Sequence, residues 1–283
     1  MLLFLGLFKK KKQKASSKAP HKNTKKTTHS SNPKRNHEQV SQRKGELGEY
    51  KIDIQLDQLP NDCCFLSDLL IKNPKAKSGY SQVDHAVITP YGVIVIETKN
   101  YQGTIYGGKD RKTWSVNGKF KMMNPFVQNY GHIQALKSFI DQKYHDLFVS
   151  MVSFTKRCTF KVGTEYRKIA SDELIVYDVE LSEFIHRKVS VLKVQHKEPL
   201  LSEEDINTIY QAFEQANILD PQIRQAHEQA LKEEQAKTTE KREQQRVNCV
   251  VCHKPVSEKV KAYCMKNEKF AGNVYCYEHQ KSV

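Results

Sequence analysis

The sequence predicts an α/β protein, helices on a central sheet, followed by a charged helical connector and a small separate C-terminal unit. Three observations carry this. Two β-branched, apolar runs flank Thr89-Pro90-Tyr91-Gly92, whose Pro and Gly mark the tip of a hairpin spanning Ser81 to Lys99. Asn124-Pro125 is a helix start, an Asn cap with Pro at the first helical position, and it interrupts the run of strands. From Pro221 to Arg246 the chain is almost wholly polar, and past it the cysteines cluster.

The 283 residues allow one medium domain plus smaller pieces. A formal net charge of +14 points to a polyanionic partner, nucleic acid or anionic lipid. Part of that charge sits in Lys9 to Lys44, a solvated stretch with almost no apolar residues. Leu2 to Phe8 is apolar but too short to span a bilayer, and its positive charges follow it, the wrong order for a secretory signal. The preferred reading is a flexible tail that adds non-specific affinity for polyanions. The alternative is a weak peripheral contact of residues 1–14 with anionic membrane. Seven cysteines, an odd number with four near the C-terminus, suit a reducing, cytoplasmic setting better than a disulfide framework. The expected boundaries are a tail at 1–37, the main domain at 38–218, a charged helical linker at 219–246 and a last unit at 247–283.

Glu38 to Leu59 fits an amphipathic helix with Leu47, Tyr50 and Ile54 along its apolar side. It holds Gly45-Glu46-Leu47-Gly48-Glu49, whose glycines suggest close packing against another backbone. Glu46 and Glu49 share a helix face, and on spacing alone that face reads as solvated. Cys63 to Ile71 reads as a strand and Asn73 to Gly79 as a polar loop. After the hairpin, Thr104 to Tyr106, Trp114 to Val116 and Phe120 to Met123 read as short strands of a continuing meander. The helix at Asn124 is expected to run to about Lys143, burying Val127, Ile133, Leu136 and Ile140. Gln128 lies one turn in. His132, four residues on, reads as an ordinary helical histidine. Leu147 to Phe154, Cys158 to Val162 and Glu173 to Val179 read as strands, and Ser182 to Lys188 and Glu203 to Asn217 as helices. Pro221 to Arg246 reads as a solvated helix or semi-rigid linker.

The hairpin concentrates the chemistry. If Thr89 faces Gly92, counting outward sets Asp84 opposite Glu97, and Lys99 shares the face of Glu97 while Gln82 shares that of Asp84. Like charges directly opposite on a sheet are destabilising, so a cation is expected there. Hard carboxylate oxygens suit Mg²⁺ or Mn²⁺. Lys99 beside them can orient a water or stabilise charge on phosphorus, and Gln82 or Gln128 can hold the water or a phosphate oxygen. These groups together spell metal-assisted phosphodiester hydrolysis.

The last unit carries Cys249-x2-Cys252 and Cys276-x2-His279, two ligand knuckles with the spacing of a tetrahedral structural zinc site. So short a unit rarely folds without a metal or disulfide. Cys249, Cys252, Cys276 and His279 are the expected Zn²⁺ ligands, brought together by an intervening hairpin. Cys264 is either a buried small hydrophobe or an alternative to His279.

The block from Gly45 to Ile140 resembles the NERD (nuclease-related) domain. It carries in order Gly45-Glu46-x-Gly48-Glu49, Ser81-Gln82-Val83-Asp84-His85, Gly92-Val93-x4-Glu97-Thr98-Lys99-Asn100-Tyr101-x-Gly103, Trp114 and Asn124-Pro125-x2-Gln128. The resemblance implies the restriction-endonuclease-like PD-(D/E)XK fold, a mixed central sheet flanked by helices. It implies that Asp84, Glu97 and Lys99 are the catalytic triplet and that Glu49 and Gln128 are site members, which reverses the solvated reading of Glu49. Val83 stands where the superfamily pattern has proline, leaving the carboxylate position intact. The activity expected is metal-dependent hydrolysis of nucleic acid, DNA first. The alternative is a non-catalytic nucleic-acid-binding or scaffolding protein on a nuclease fold. The C-terminal unit looks like an added module contacting DNA or a partner, with a Cys-x2-His half less usual than an all-cysteine ribbon.

Overall fold

The computed structural model describes residues 47–244 and 247–283. Leu2 to Phe8, the basic stretch after it, Gly45 and Glu46 lie outside the described residues. Among the described residues no helix is long and apolar enough to cross a membrane.

Helix α1 has described residues 47–56. Strands β1 (Cys64–Lys72), β2 (Tyr80–Thr89) and β3 (Gly92–Lys99) follow, then short strands β4 (Gly103–Tyr106), β5 (Thr113–Val116) and β6 (Phe120–Met123). Helix α2 (Pro125–Lys137), β7 (Phe148–Phe154), β8 (Cys158–Lys161) and β9 (Glu173–Tyr177) complete the strand-bearing part. Helices α3 (Leu181–His196), α4 (Glu203–Ala216), α5 (Pro221–Gln244) and α6 (Glu258–Lys266) close the chain.

The strands form two sheets, not one meander. The larger has the order β1-β2-β3-β7-β9, antiparallel through β3 and parallel from β3 to β9. It is the mixed central sheet flanked by helices. The smaller has the order β6-β5-β4-β8, with β4 and β8 parallel. It continues the central pair: β4 follows β3 and β8 follows β7, and the Thr155 hydroxyl donates to the Tyr101 carbonyl at 2.7 Å where both strands bend. Sequence letters identify each strand but not the partner it bends toward.

Both faces of β3 are covered, which explains its unbroken apolar run. Val93 and Val95 pack with Ile133 and Leu136 of α2 and with Ile209 and Phe213 of α4. Ile94 and Ile96 pack with Ile52 and Leu56 of α1 and Leu181 and Ile185 of α3. A third cluster, around Trp114, Phe126 and Tyr166, fills the space beside the small sheet.

The hairpin tip is a two-residue turn: Thr89 pairs with Gly92, and the ladder runs to His85 and Ile96. The Thr89 hydroxyl donates to the Gly92 carbonyl at 3.0 Å and accepts from Tyr91 N–H at 3.2 Å. Gly92 has φ 140°, and a Cβ there would lie 2.5 Å from the Leu147 carbonyl oxygen, so only glycine fits.

Several elements differ from expectation. On α1, Leu47, Tyr50 and Ile54 are 56%, 62% and 46% exposed, while Ile52 and Leu56 are buried. Both stripes have helical spacing, and the one that meets Val87, Ile94 and Ile96 is the one covered. Asn124 caps α2 as expected, accepting from Phe126 N–H at 3.0 Å. The helix ends at Lys137, however, before a separate 3₁₀ turn capped by Asp141, and Val127 is exposed. Helix α3 runs well past Lys188, whose buried ammonium is held by the Ser171 carbonyl and the Asp172 carboxylate, both at 2.9 Å. The first half of α5 is docked, not solvated. Arg224 donates to Asp68 Oδ2 at 2.7 Å and to the Asp68 carbonyl at 2.8 Å, and buried His227 meets the Ser78 hydroxyl at 3.1 Å. That docking is polar, which is why an apolar pattern gave no sign of it.

Candidate active site and metal cluster

The ladder of the β2–β3 hairpin, continued one step beyond His85 and Ile96, sets Asp84 against Glu97. There the backbones part, and the Asp84 carboxylate itself accepts the Thr98 N–H at 2.7 Å. Lys99 lies two residues along the face of Glu97, and its ammonium donates to Glu97 Oε1 at 2.5 Å and to Gln128 Oε1 at 3.0 Å. The Gln128 amide also donates to Glu97 Oε1 at 2.8 Å. The capped start of α2 aims Gln128 at the strand end. One turn on, His132 Nε2 sits 3.2 Å from Glu97 Oε2. Two strands and one helix thus converge on a buried acidic centre.

Glu49 reaches the same centre from α1, on the other side of the sheet edge. Its carboxyl is raised above the ordinary range by burial and by the nearby Asp68, Glu97 and Asp53 charges, with His85 opposing. Gly48 places α1 against Thr98 and Asn100, whose side chains lie 3.5–3.6 Å from where a Cβ would sit. His85 meets Asp53 of α1 at 3.2 Å and helps fix the helix there.

The electrostatics split the carboxylates. Burial, then the charges of Glu97 and Glu49, push Asp84 well above the usual carboxylate range. Burial would raise Glu97 as well, but the Lys99 ammonium and the His132 ring outweigh it and hold the carboxyl at about 2. Burial alone would lower Lys99, yet Glu97 and Asp84 keep its ammonium charged. One lysine therefore leaves the acidic centre short of positive charge. Two hard carboxylates in that state fit a divalent cation, which completes its shell with water.

The structure brings together Asp84, Glu97, Lys99 and Gln128, with Glu49 in electrostatic reach. It places Gln82 differently: its amide donates to Asp68 Oδ1 at 2.9 Å, on the carboxylate that Arg224 also binds. Gln82 therefore belongs to the rim. His132 is the residue that sequence reasoning missed. Its spacing four after Gln128 put it on the right face, but nothing in the sequence showed that the face looks at Glu97.

In the C-terminal unit, one ligand atom each from Cys249, Cys252, Cys276 and His279 lie within 4.8 Å of one another, and this group can hold a metal ion. His279 offers Nδ1, 3.2 Å from Cys276 Sγ and 3.5 Å from Cys249 Sγ. Burial works against a thiolate at Cys249, but the backbone N–H groups of Cys252, Cys276 and Val251 outweigh it and bring the thiol down to about 5. The element between the knuckles is helix α6, capped by Ser257, where a hairpin was expected. Cys264 is buried with Phe270 and Val274, and its sulfur accepts from the Gln280 amide at 3.3 Å. It is the small core hydrophobe of the unit, apart from the ligand group.

Residues 44–155 match the family model described as the nuclease-related domain, NERD. An uncharacterized protein of Bacillus anthracis is 31% identical over 198 residues, which is 69% of this chain and 86% of that protein. The chain belongs to the NERD family. No solved structure matches it. The matched segment spans α1 to β7 and so contains Glu49, Asp84, Glu97, Lys99, Gln128 and His132. Helix α5 and the metal cluster lie outside the NERD segment.

Proposed function

We propose that this NERD protein is a divalent-metal-dependent nuclease that hydrolyses phosphodiester bonds, acting on DNA. The observation that carries the reading is the buried convergence of Asp84, Glu97, Lys99 and Gln128 at one strand end. A protein that only bound nucleic acid would have no use for two acids there, since buried carboxylates repel phosphate and destabilise the sheet. The net charge of +14 supports a nucleic-acid substrate. The free cysteines support a reducing, cytoplasmic setting.

Asp84 and Glu97 would hold Mg²⁺ or Mn²⁺. When bound, such an ion polarises the phosphate and lowers the pKa of an attached water. Lys99 supplies fixed positive charge where the attacked phosphorus gains negative charge. Gln128 bonds both Lys99 and Glu97 and so sets their spacing before substrate arrives. In the reaction a water oxygen bonds to phosphorus, one P–O ester bond breaks, and the leaving alkoxide takes up a proton. Glu49 adds a third acid at the margin, and Gln82 tethers the rim through Asp68.

We infer that the C-terminal cluster holds zinc. Zn–S bonds of about 2.3 Å and Zn–N bonds of about 2.0 Å imply tetrahedral edges near ~3.8 Å and ~3.5 Å. The Cys252–Cys276 sulfur separation is 3.8 Å and the Cys249–His279 separation 3.5 Å, with Cys276–His279 tighter at 3.2 Å and all four ligand atoms within 4.8 Å of one another.

The test is cleavage of plasmid and single-stranded DNA by the purified full chain with Mg²⁺ or Mn²⁺. Cleavage that EDTA and Lys99→Ala both abolish is the expected result. Equal cleavage by Lys99→Ala would assign the activity elsewhere.

A further inference from the structure

The small sheet is rooted in the site at both ends. Strand β4 begins four residues after Lys99, and β6 ends five residues before Gln128. The β5–β6 hairpin is therefore a wing carried by the two elements that hold the catalytic groups. The loop that enters it from β4, its turn and its outer strand are strongly basic: Lys109, Arg111 and Lys112 in the loop, Lys119 in the turn and Lys121 in β6 stand against Asp110 alone. All five cations are exposed, and none is in a salt bridge with another described residue.

Between two of these lysines lies Phe120, 56% exposed. It lies on an edge strand, since among the described residues β6 has β5 on one side and no strand on the other. Its ring meets Tyr101, with centroids 5.7 Å apart and planes tilted by 47°. Tyr101 follows Lys99 by two residues, and the Lys99 ammonium acts on its phenol, partly offsetting the upward push of burial. An exposed ring thus lies at the strand edge against Tyr101, with Lys119 in the adjoining turn and Lys121 on the opposite face of β6. A duplex keeps its base faces stacked, whereas an unpaired strand offers them to a side chain.

We propose that the β5–β6 wing grips a single nucleic-acid strand beside the site, Phe120 stacking on an unpaired base at the sheet edge while the strand wraps that edge, one phosphate on Lys119 in the turn and another on Lys121 across it. The idea rests on the nuclease reading for its choice of ligand and names the substrate class as single-stranded or frayed nucleic acid. A protein partner is disfavoured because the density of cations around one ring matches a regularly spaced chain of phosphates.

The test uses the full chain with its zinc retained and no Mg²⁺ or Mn²⁺ added, so that cleavage does not intervene. Binding of a labelled single strand and of its duplex is followed by anisotropy, with a fluorescent base analogue in the strand to report stacking. Phe120→Ala should weaken single-strand binding by about 10-fold, as loss of one base stack implies. It should abolish quenching of the analogue and leave duplex affinity and the melting temperature unchanged. Phe120→Tyr should restore both binding and quenching. The double variant Lys119→Ala/Lys121→Ala should flatten the salt dependence of binding by about two ions released. Wild-type single-strand affinity and quenching in Phe120→Ala would overturn the proposal while leaving the nuclease reading intact. Binding that depends on Phe120, together with no cleavage under Mg²⁺, would uphold it and sink the nuclease reading instead.

Discussion

Replacing Lys99 by Met keeps most of the aliphatic stem and removes the ammonium that offsets Glu97 and Asp84. Glu97 is held at about 2 against an ordinary value of 4.5 by Lys99 and His132 jointly, against the opposing push of burial, a net offset of about 3 kcal/mol to which both contribute. Breaking a buried ion pair by deleting one partner costs a similar ~3–5 kcal/mol. Protonation of Glu97 in the variant caps the loss, so at neutral pH Lys99→Met should lower stability in EDTA by at most about 3 kcal/mol. The sign with pH follows from the depressed carboxyl: its contribution is present above the unfolded value and lost as pH falls from 4.5 through about 2. The variant should show a shallower acid limb. Mg²⁺ should then act differently on the two proteins. In the variant no ammonium competes for Glu97, so the ion restores missing positive charge and binds more tightly, and binding to the native state alone adds stability. Urea unfolding of both proteins with EDTA and with Mg²⁺ measures this, and the deficit of the variant should shrink in Mg²⁺. A deficit identical in both buffers, or none in EDTA, would refute the assignment of Lys99 as the charge partner of a cation site.

Three further outcomes are expected. Cys249→Ser/Cys252→Ser should lose bound zinc on elemental analysis and unfold residues 247–283 while the sheet melts as before; unchanged stoichiometry would remove these ligands. Asp205 caps α4 with Ser202 and accepts from the Tyr144 hydroxyl at 2.5 Å, and these bonds hold its carboxyl below the ordinary range. Ser202→Ala should cost about 1 kcal/mol in denaturant unfolding, and the Asp205 contribution should fade below pH ~4, where the unfolded carboxyl begins to bind protons. Gly92→Ala should destabilise by roughly 1–3 kcal/mol, because its Cβ would meet the Leu147 carbonyl at 2.5 Å; an unchanged melting temperature would show that the turn adjusts freely.

The hairpin that carries Asp84 and Glu97 was legible because its register depends on a two-residue turn, and turn length fixes strand pairing. Lys99 follows from the strand period and Gln128 from the Asn124-Pro125 helix start. What stayed hidden depends on tertiary choices. Asp68 has φ 53°, a left-handed kink in β1, and the carboxylate it presents engages Gln82 and Arg224. No local pattern announces that. Helix α1 carries two apolar stripes, and only the sheet beneath decides which is covered. The same holds for His132, whose face is readable but whose partner is not. The bend at residues 100–102, which splits off the small sheet, turns on a contact between residues 54 apart in sequence, Tyr101 and Thr155.

The central question is whether Asp84 and Glu97 serve phosphodiester hydrolysis. The direct measurement is supercoiled plasmid incubated with Mn²⁺ and either wild-type protein or Asp84→Asn, purified side by side and matched in folded fraction. Wild-type protein should convert the plasmid, and Asp84→Asn, which keeps the side-chain shape but gives up the acid, should leave it supercoiled. Equal conversion by both, or none by the wild type across Mn²⁺ and Mg²⁺, would contradict the account.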